Sequence, residues 1–193
     1  MKRTQALFVL LILTALLTNS YAQRINIVSG SLSGLKGEKA VSVEFVYDHM
    51  KVGNEDEKAY LKRKTDDYNK KEPGRGDTWA QAWVSDRQAK YEPSFFELFT
   101  KVSNISSGSG KYKIIFHTER TEPGFNVFVT KKPAAIDATL TIIEVATGKE
   151  VAKVTIDNAL GRTFGMSDLD TGVRIQECYA MAGKAFAKFL MKQ

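Results

Sequence analysis

The last part of the chain carries an unbroken apolar stripe at helical spacing. The stripe consists of Ile175, Cys178, Tyr179, Ala182, Phe186, Phe189 and Leu190. These positions share one face of an α-helix because their spacing follows a period of about 3.6 residues. Ala182 and Gly183 keep the middle of this face small enough to approach a sheet closely. An apolar face of this length must be covered, so it requires a second layer of structure.

Other segments of the chain are typical of β-strands, most clearly "AVSVEFVY", in which apolar and polar residues alternate. The predicted strands begin at Ala40, Tyr112, Phe125, Ile136 and Glu150. A turn over 146–149, with Gly148 supplying a positive φ, joins the last two as a hairpin. Short strands joined by tight loops pair antiparallel. We therefore predict an α+β fold: an antiparallel sheet of about four to five strands with helices packed on one face, including the C-terminal amphipathic helix.

The N-terminal residues have the order of a secretory signal peptide. Two basic residues precede an uncharged apolar run over 6–17, and the tripeptide at 20–22 is a small-x-small cleavage site. A membrane anchor is the alternative, but the run is shorter than the about 20 apolar residues that a span needs. We expect residues 1–22 to be removed and residues 23–193 to form a single α+β domain. That domain is predicted to be periplasmic or secreted and to have no transmembrane span.

Charge and cysteine content narrow the functional classes. The chain has 28 basic and 22 acidic residues, a net charge of +6, and the two signs are mixed along the sequence. A nucleic-acid-binding protein needs a concentrated Lys/Arg face, so nucleic acid is excluded as a partner. Cys178 is the only cysteine, which excludes an internal disulfide. The exported domain must therefore be held together by an ordinary apolar core.

An adhesion-like tripeptide lies between the first two predicted strands, in a region that favours helices. Residues 54–71 are highly charged and predict an exposed helix. Arg75-Gly76-Asp77 follows, a tripeptide that animal cell-adhesion ligands present to integrins. Thr78 and Gln81 have the spacing of a capping box, which predicts that a helix starts at Trp79. Helix initiation thus accounts for the tripeptide without an adhesion function.

A proline interrupts the helical region after this point. Pro93 is predicted to end the helix that starts at Trp79. Ser94 and Glu97 form a second capping box, which predicts that a new helix begins there.

Residues with catalytic or metal-binding chemistry are sparse. His49 and His117 are the only histidines, which excludes a multi-histidine zinc site, and no serine lies in a G-x-S-x-G motif. Cys178 belongs to the apolar stripe, where a thiol behaves as an inert hydrophobe. Asp168 and Asp170 match only the start of a calcium loop and are weak metal candidates. Asp170 is better explained as a helix N-cap, and we predict no catalytic residue, metal or cofactor.

Two loops combine aromatic and basic side chains in the way that binding surfaces do. The candidate binding residues are Phe125, Phe128, Lys131, Lys132, Arg162 and Phe164. The alternative is that part of this set packs inward and the rest forms turns. We predict a non-enzymatic envelope or secreted module that binds a protein, a lipid or a glycan. A hydrolase or metal-assisted enzyme using His117 and the carboxylates of the 161–172 loop is the alternative function.

The chain resembles known groups of exported proteins in two long segments, "EPGFNVFVTKKPAAIDATLTI" and "DTGVRIQECYAMAGKAFAKFL". These segments look like small exported proteins of unknown function from Bacteroidota-type bacteria. The order of elements is also similar to the α+β domains of outer-envelope accessory lipoproteins, including the curli-assembly class. The chain departs from that second group because no cysteine that could be lipidated lies near the predicted cleavage site. Neither resemblance implies catalytic residues.

Overall fold

The computed structural model describes residues 23–127, 129–162 and 170–193. The predicted signal peptide, residues 1–22, lies outside the described residues. The strands are β1 (Arg24–Gly30), β2 (Ala40–Val46), β3 (Lys51–Val52), β4 (Glu55–Asp56), β5 (Ser106–Ser107), β6 (Tyr112–Glu122), β7 (Phe125–Asn126), β8 (Lys131–Lys132), β9 (Ala135–Glu144) and β10 (Lys149–Leu160). The α-helices are α1 (Glu57–Lys71), α2 (Arg75–Asp86), α3 (Glu92–Ser103) and α4 (Thr171–Leu190), and a π-helical turn, Arg87–Tyr91, joins α2 to α3.

The main sheet of the described chain has eight strands and is mixed. Its central order is β1-β10-β9-β6-β2-β5, with β3 beside β6 and β4 beside β3. The strands from β1 to β6 along this order pair antiparallel, but β2 and β3 pair parallel with β6. The predicted antiparallel sheet of four to five strands is therefore wrong, although the α+β class is correct. All the helices of the 57–103 region lie between β2 and β6, and this long connection returns the chain in the same direction, as a parallel pair requires.

The sequence pattern also failed to reveal the strands that lack a clear alternation. Strands β3, β4 and β5 have two residues each, too few to show a period. Strand β1 is longer, but its register with β10 shifts between Ile27 and Ser29, and most of its side chains are exposed. A β-bulge of this kind breaks the inside-outside alternation that marks a half-buried strand.

The helical region between β2 and β6 differs from prediction at both capping boxes. Helix α2 begins at Arg75, so Thr78 lies inside it, and the Thr78 hydroxyl donates back to the Gly74 carbonyl at 3.1 Å. Ser94 is also helical, because the chain continues from α2 into α3 without a break. The wide turn just before Pro93 bonds Glu92 N–H to the Arg87 carbonyl, five residues back. Such a π-turn lets a helix pass a residue that has no N–H to donate.

Helices α3 and α4 cover one face of the sheet. The apolar core lies between these two helices and the sheet. Phe95 and Phe99 of α3 meet Phe186 of α4 and Phe116 of β6 as a connected set of aromatic contacts. The Tyr179 hydroxyl forms a 2.7 Å hydrogen bond with Thr118 of β6, so neither buried group lacks a partner. The predicted stripe of α4 is buried except for the half-exposed Phe189. This packing confirms the prediction that a second layer of structure covers the apolar stripe.

Candidate binding surface

A small hairpin stands apart from the main sheet and carries exposed apolar side chains. Strands β7 and β8 pair only with each other, Phe125 opposite Lys132 and Asn126 opposite Lys131. Val127 and Val129, in the turn between the strands, are 52% and 95% exposed, and Phe125 is 43% exposed. Exposed apolar groups that cluster in this way mark contact surfaces in soluble proteins. We call residues 125–132, apart from position 128, the β7–β8 hairpin.

A buried arginine of α4 holds the base of the β7–β8 hairpin. Arg174 is 5% exposed, and its guanidinium donates to the carbonyls of Pro123 at 3.0 Å and Gly124 at 3.3 Å. Gly124 has φ +62°, and a Cβ there would lie 2.4 Å from the Lys132 carbonyl, so the close approach of the two strands requires glycine. The backbone at the base of the hairpin is therefore anchored to α4.

The hairpin adjoins a cleft of ≈ 630 Å³ at one end of the main sheet. Bulges interrupt the ladder here in two places, after Thr118 in the β6–β9 pair and after Ile156 in the β10–β9 pair. Asp137 spans both bulges, because it accepts from Arg120 Nε at 2.6 Å and from the Asn158 backbone N–H at 2.7 Å. Bulges are common beside functional sites because they re-aim side chains.

The structure brings together several of the predicted binding residues. Phe125, Lys131 and Lys132 lie on the β7–β8 hairpin, and both lysines also line the adjoining cleft. Lys132 forms a 2.6 Å ion pair with Glu122. The backbone N–H of Gly161 donates to the Ala134 carbonyl, which places the exposed Arg162 next to the end of β8. Phe128 and Phe164 lie outside the described residues.

The Arg75-Gly76-Asp77 tripeptide forms the first turn of α2 and packs against α1. Gly76 is buried, its N–H donates to Asn69 Oδ1 at 2.7 Å, and a Cβ on it would lie 2.1 Å from the Thr65 carbonyl. An adhesion loop must instead present this tripeptide as an extended, protruding tip. The helical conformation supports the structural interpretation over the adhesion one.

Of the residues named in the alternative hydrolase hypothesis, His117 and Asp170 are described, and they lie on opposite sides of the sheet. His117 and Thr118 are adjacent on β6 and point to opposite faces of the sheet. Thr118 faces α4, whose first turn Asp170 caps by accepting from the N–H groups of Gly172 and Val173 at 2.7 and 3.2 Å. His117 lies on the other face, within 2.7 Å of the Asp48 carbonyl. Asp168 lies outside the described residues, and the described ranges hold no group of three or more potential metal-ligating side chains.

We predict that the Cys178 thiol does not react with an aqueous disulfide reagent in the native protein. Its side chain is fully buried, it lies beside the Arg174 carbonyl, and burial raises the pKa of the thiol. Reaction requires the thiolate in contact with solvent. Labelling should reach one equivalent per chain only in denaturant, with a free thiol of small size as the positive control. Stoichiometric labelling within seconds in native buffer would contradict this placement.

Sequence reasoning missed a polar cluster in which the start of α1, the end of α2 and the residue after β2 meet. Glu57 accepts hydrogen bonds from Trp83 Nε1, at 2.6 Å, and from Arg87, and the Arg87 guanidinium lies 4.3 Å from the centre of the Tyr47 ring. Burial raises the pKa of the Tyr47 phenol, whose O–H donates to Glu92. These residues come from three separate segments, so only the helical spacing of Trp83 and Arg87 signalled part of the cluster in advance.

No protein-family model and no curated protein matches the chain. The solved structures that it resembles include the PelC dodecamer from Paraburkholderia phytofirmans, with 13% identity, a TM-score of 0.40, and coverage of 89% of this chain and 100% of that one. A DUF330 protein from Xanthomonas campestris has 12% identity and a TM-score of 0.39 over 53% and 59%. A putative neuraminyllactose-binding hemagglutinin homologue from Helicobacter pylori has 8% identity and a TM-score of 0.29 over 86% and 87%. Likeness this distant assigns neither a family nor a function.

Helices in the described part of the chain lack the combination of length and apolar character that crossing a bilayer requires.

Proposed function

We propose that the protein is a binding module of the bacterial cell envelope, exported by its N-terminal signal, that attaches to an anionic lipid surface through the β7–β8 hairpin. One observation carries this proposal: exposed valines at the turn of a separate hairpin stand next to a pair of lysines. The combination of an apolar tip and a basic flank suits the boundary between lipid headgroups and acyl chains.

The apolar part of the hairpin supplies the hydrophobic contribution. Val127 and Val129 are 52% and 95% exposed, so about half of the Val127 surface and nearly all of the Val129 surface is uncovered. Moving such a side chain out of water contributes up to about 1.5–3 kcal/mol when it becomes fully buried. Phe125 adds a half-exposed aromatic ring at the base of the same hairpin.

The basic part supplies the electrostatic contribution. Lys131 lies on the hairpin, and Arg162 follows Gly161, which bonds to Ala134 just beyond it. Both side chains are exposed, whereas Lys132 is partly neutralised by Glu122. A basic side chain near an anionic membrane surface contributes about 1 kcal/mol, and salt screens that contribution. The net attraction therefore depends mainly on Lys131 and Arg162.

A lipid surface fits this hairpin better than the other two partner classes. A protein partner usually binds to a broad patch whose centre becomes buried in the complex. These apolar groups instead lie on the turn of a two-stranded hairpin. A glycan requires several convergent polar groups, and valine side chains offer none. Insertion into a headgroup region needs only a narrow apolar projection with cations behind it.

The test is flotation of the purified protein with vesicles of phosphatidylcholine alone or mixed with phosphatidylglycerol. We expect binding only to the mixed vesicles. Replacing both Val127 and Val129 by serine should lower the partition coefficient at least about tenfold, because two exposed apolar side chains lose their contribution. Lys131→Glu should lower it at least about fivefold at low salt, because it removes one positive charge and adds a negative one, and less at high salt.

Matched controls are available elsewhere on the domain. Val145 is 56% exposed in the turn between β9 and β10, so Val145→Ser tests whether any exposed valine matters. Lys101 is exposed on α3, so Lys101→Glu makes the same charge change away from the hairpin. Both variants should bind like the unmodified protein. Equal flotation of the hairpin and control variants would refute the proposal.

A further inference from the structure

A row of four aromatic side chains lies between α1 and α2, far from the hairpin in sequence. The ring centroids are 5.3 Å apart for Tyr60 and Trp83, 5.6 Å for Trp83 and Trp79, and 5.5 Å for Trp79 and Tyr68. Trp83 is buried, but the other three side chains are only half-buried. The row therefore packs the two helices together and still presents aromatic surface to solvent.

Part of this row lines a groove of ≈ 320 Å³ against the first turn of α4. Tyr68, Trp79 and Trp83 contribute the aromatic side of the groove, and Asp86 and Lys90 contribute charged groups. We call this site the aromatic groove. Its volume lies at the lower end of the about 300–1,000 Å³ that small-molecule sites occupy.

The charged pair in the aromatic groove is held in a fixed geometry. Lys90 Nζ donates to Asp86 Oδ2 at 3.0 Å, and the two side chains are 36% and 13% exposed. Gly172 of α4 packs directly against the pair, since a Cβ there would lie 2.3 Å from the Asp86 oxygen and 3.3 Å from the Lys90 nitrogen. The groove thus places an acceptor-only group next to a donor-only group beside aromatic rings.

The aromatic groove is not suited to an anion. The N–H groups of Gly172 and Val173, which would otherwise attract negative charge at the start of α4, already donate to Asp170. Asp86 and Asp170 both line the groove and repel an anionic group. An apolar ligand is equally unsuited, because it would strip water from the Asp86–Lys90 pair without replacing its hydrogen bonds.

We propose that the aromatic groove binds a hexopyranose unit of an uncharged glycan. A pyranose ring has an apolar C–H face, which packs against the half-buried Trp79 ring, and a rim of hydroxyls. The Tyr68 ring borders the site at its edge, because Lys64 Nζ at 4.9 Å and the Arg75 guanidinium at 5.5 Å already lie over that ring. Two neighbouring hydroxyls satisfy the charged pair together, because one donates to Asp86 and the other accepts from Lys90. Tyrosine and tryptophan give such contacts a large area at low cost in conformational freedom. This site shares no residue with the β7–β8 hairpin.

The position of the tryptophans provides a direct measurement. The chain has two tryptophans, Trp79 and Trp83, and both line the aromatic groove. Intrinsic fluorescence of the purified protein should therefore respond to binding at this site. We expect a saturable change on titration with at least one of chitotriose, cellotriose and maltotriose, with a Kd of about 0.1–1 mM. Lys90→Gln and Asp86→Asn should each raise that Kd at least about fivefold, since each removes one charged hydrogen bond.

Lys101→Gln is the matched control, because Lys101 is exposed on α3 and does not line the aromatic groove. Its Kd should equal that of the unmodified protein, and all variants should keep the unmodified protein's circular dichroism spectrum. The absence of saturation with all three sugars up to about 20 mM would overturn the proposal. Saturation by sodium phosphate instead of sugar, or an unchanged Kd in both groove variants, would also overturn it. Vesicle flotation is unaffected by these outcomes.

Discussion

Replacing Phe95 by alanine should lower the free energy of unfolding by about 3–5 kcal/mol, the range found when a buried phenylalanine is truncated. Phe95 is fully buried in α3, and its ring centroid lies 5.0 Å from that of Phe116, 5.6 Å from that of Phe45 and 5.8 Å from that of Phe99. The substitution leaves a cavity at the point where α3, β2 and β6 meet. A domain of this kind has only about 5–15 kcal/mol of total stability. Urea unfolding followed by far-ultraviolet circular dichroism would measure the loss.

Phe125→Ala is the matched control for this prediction. The same side chain is removed, but Phe125 is 43% exposed on the β7–β8 hairpin. The loss there should remain below about 1 kcal/mol, because much of the ring is in water in the folded protein. If both variants lost the same stability, Phe95 would not be the centre of the core.

Replacing Gly183 by alanine should destabilise the protein by up to about 2 kcal/mol, even though alanine is the better helix former. Helix propensity alone would favour alanine by about 1 kcal/mol. A Cβ at this position, however, would lie 2.2 Å from the Phe95 carbonyl oxygen and 3.0 Å from its carbon. These are backbone atoms, so α3 and α4 must separate to admit the methyl group, and overpacking typically costs about 1–3 kcal/mol. Thermal and urea unfolding would both record the change.

Gly37→Ala supplies the comparison for Gly183. A Cβ on Gly37 meets no atom within 4 Å, and its φ is not positive. Alanine there should be neutral or slightly stabilising, because it restricts the unfolded chain without disturbing the folded one. A stabilised Gly183→Ala protein would show that propensity, and not the close approach of the helices, decides the energy at that position.

The elements with a clear period were predictable from sequence, and the way in which they are joined was not. The stripe from Ile175 to Leu190 and the turn at Gly148 are local patterns, and the structure has both. The direction of β2 relative to β6 depends on the path of the chain between them, which periodicity does not encode. Pro93 is a strong local signal for the end of a helix, but the π-turn before it removes the conflict.

The sequence indicated which residues form the candidate site, but it did not indicate which residues hold them in place. Phe125 and Lys131 stood out because aromatic and basic residues share a short loop. Arg174 gave no comparable signal, because its partners are backbone carbonyls at positions 123 and 124, and carbonyls are present in every residue. The aromatic groove was partly recognisable in the sequence, because Trp79 and Trp83 are four residues apart on one helix face. Their meeting with Tyr68 depends on how α1 and α2 pack.

The Arg174 guanidinium also donates to the Thr171 hydroxyl at 3.0 Å, so the base of the hairpin is joined to the first turn of α4. The chain already links the hairpin to β6 and β9, and Arg174 adds a connection to a 20-residue helix packed on the sheet. A force applied at the hairpin would therefore be shared between the two flanking strands and this helix, instead of acting on the strands alone.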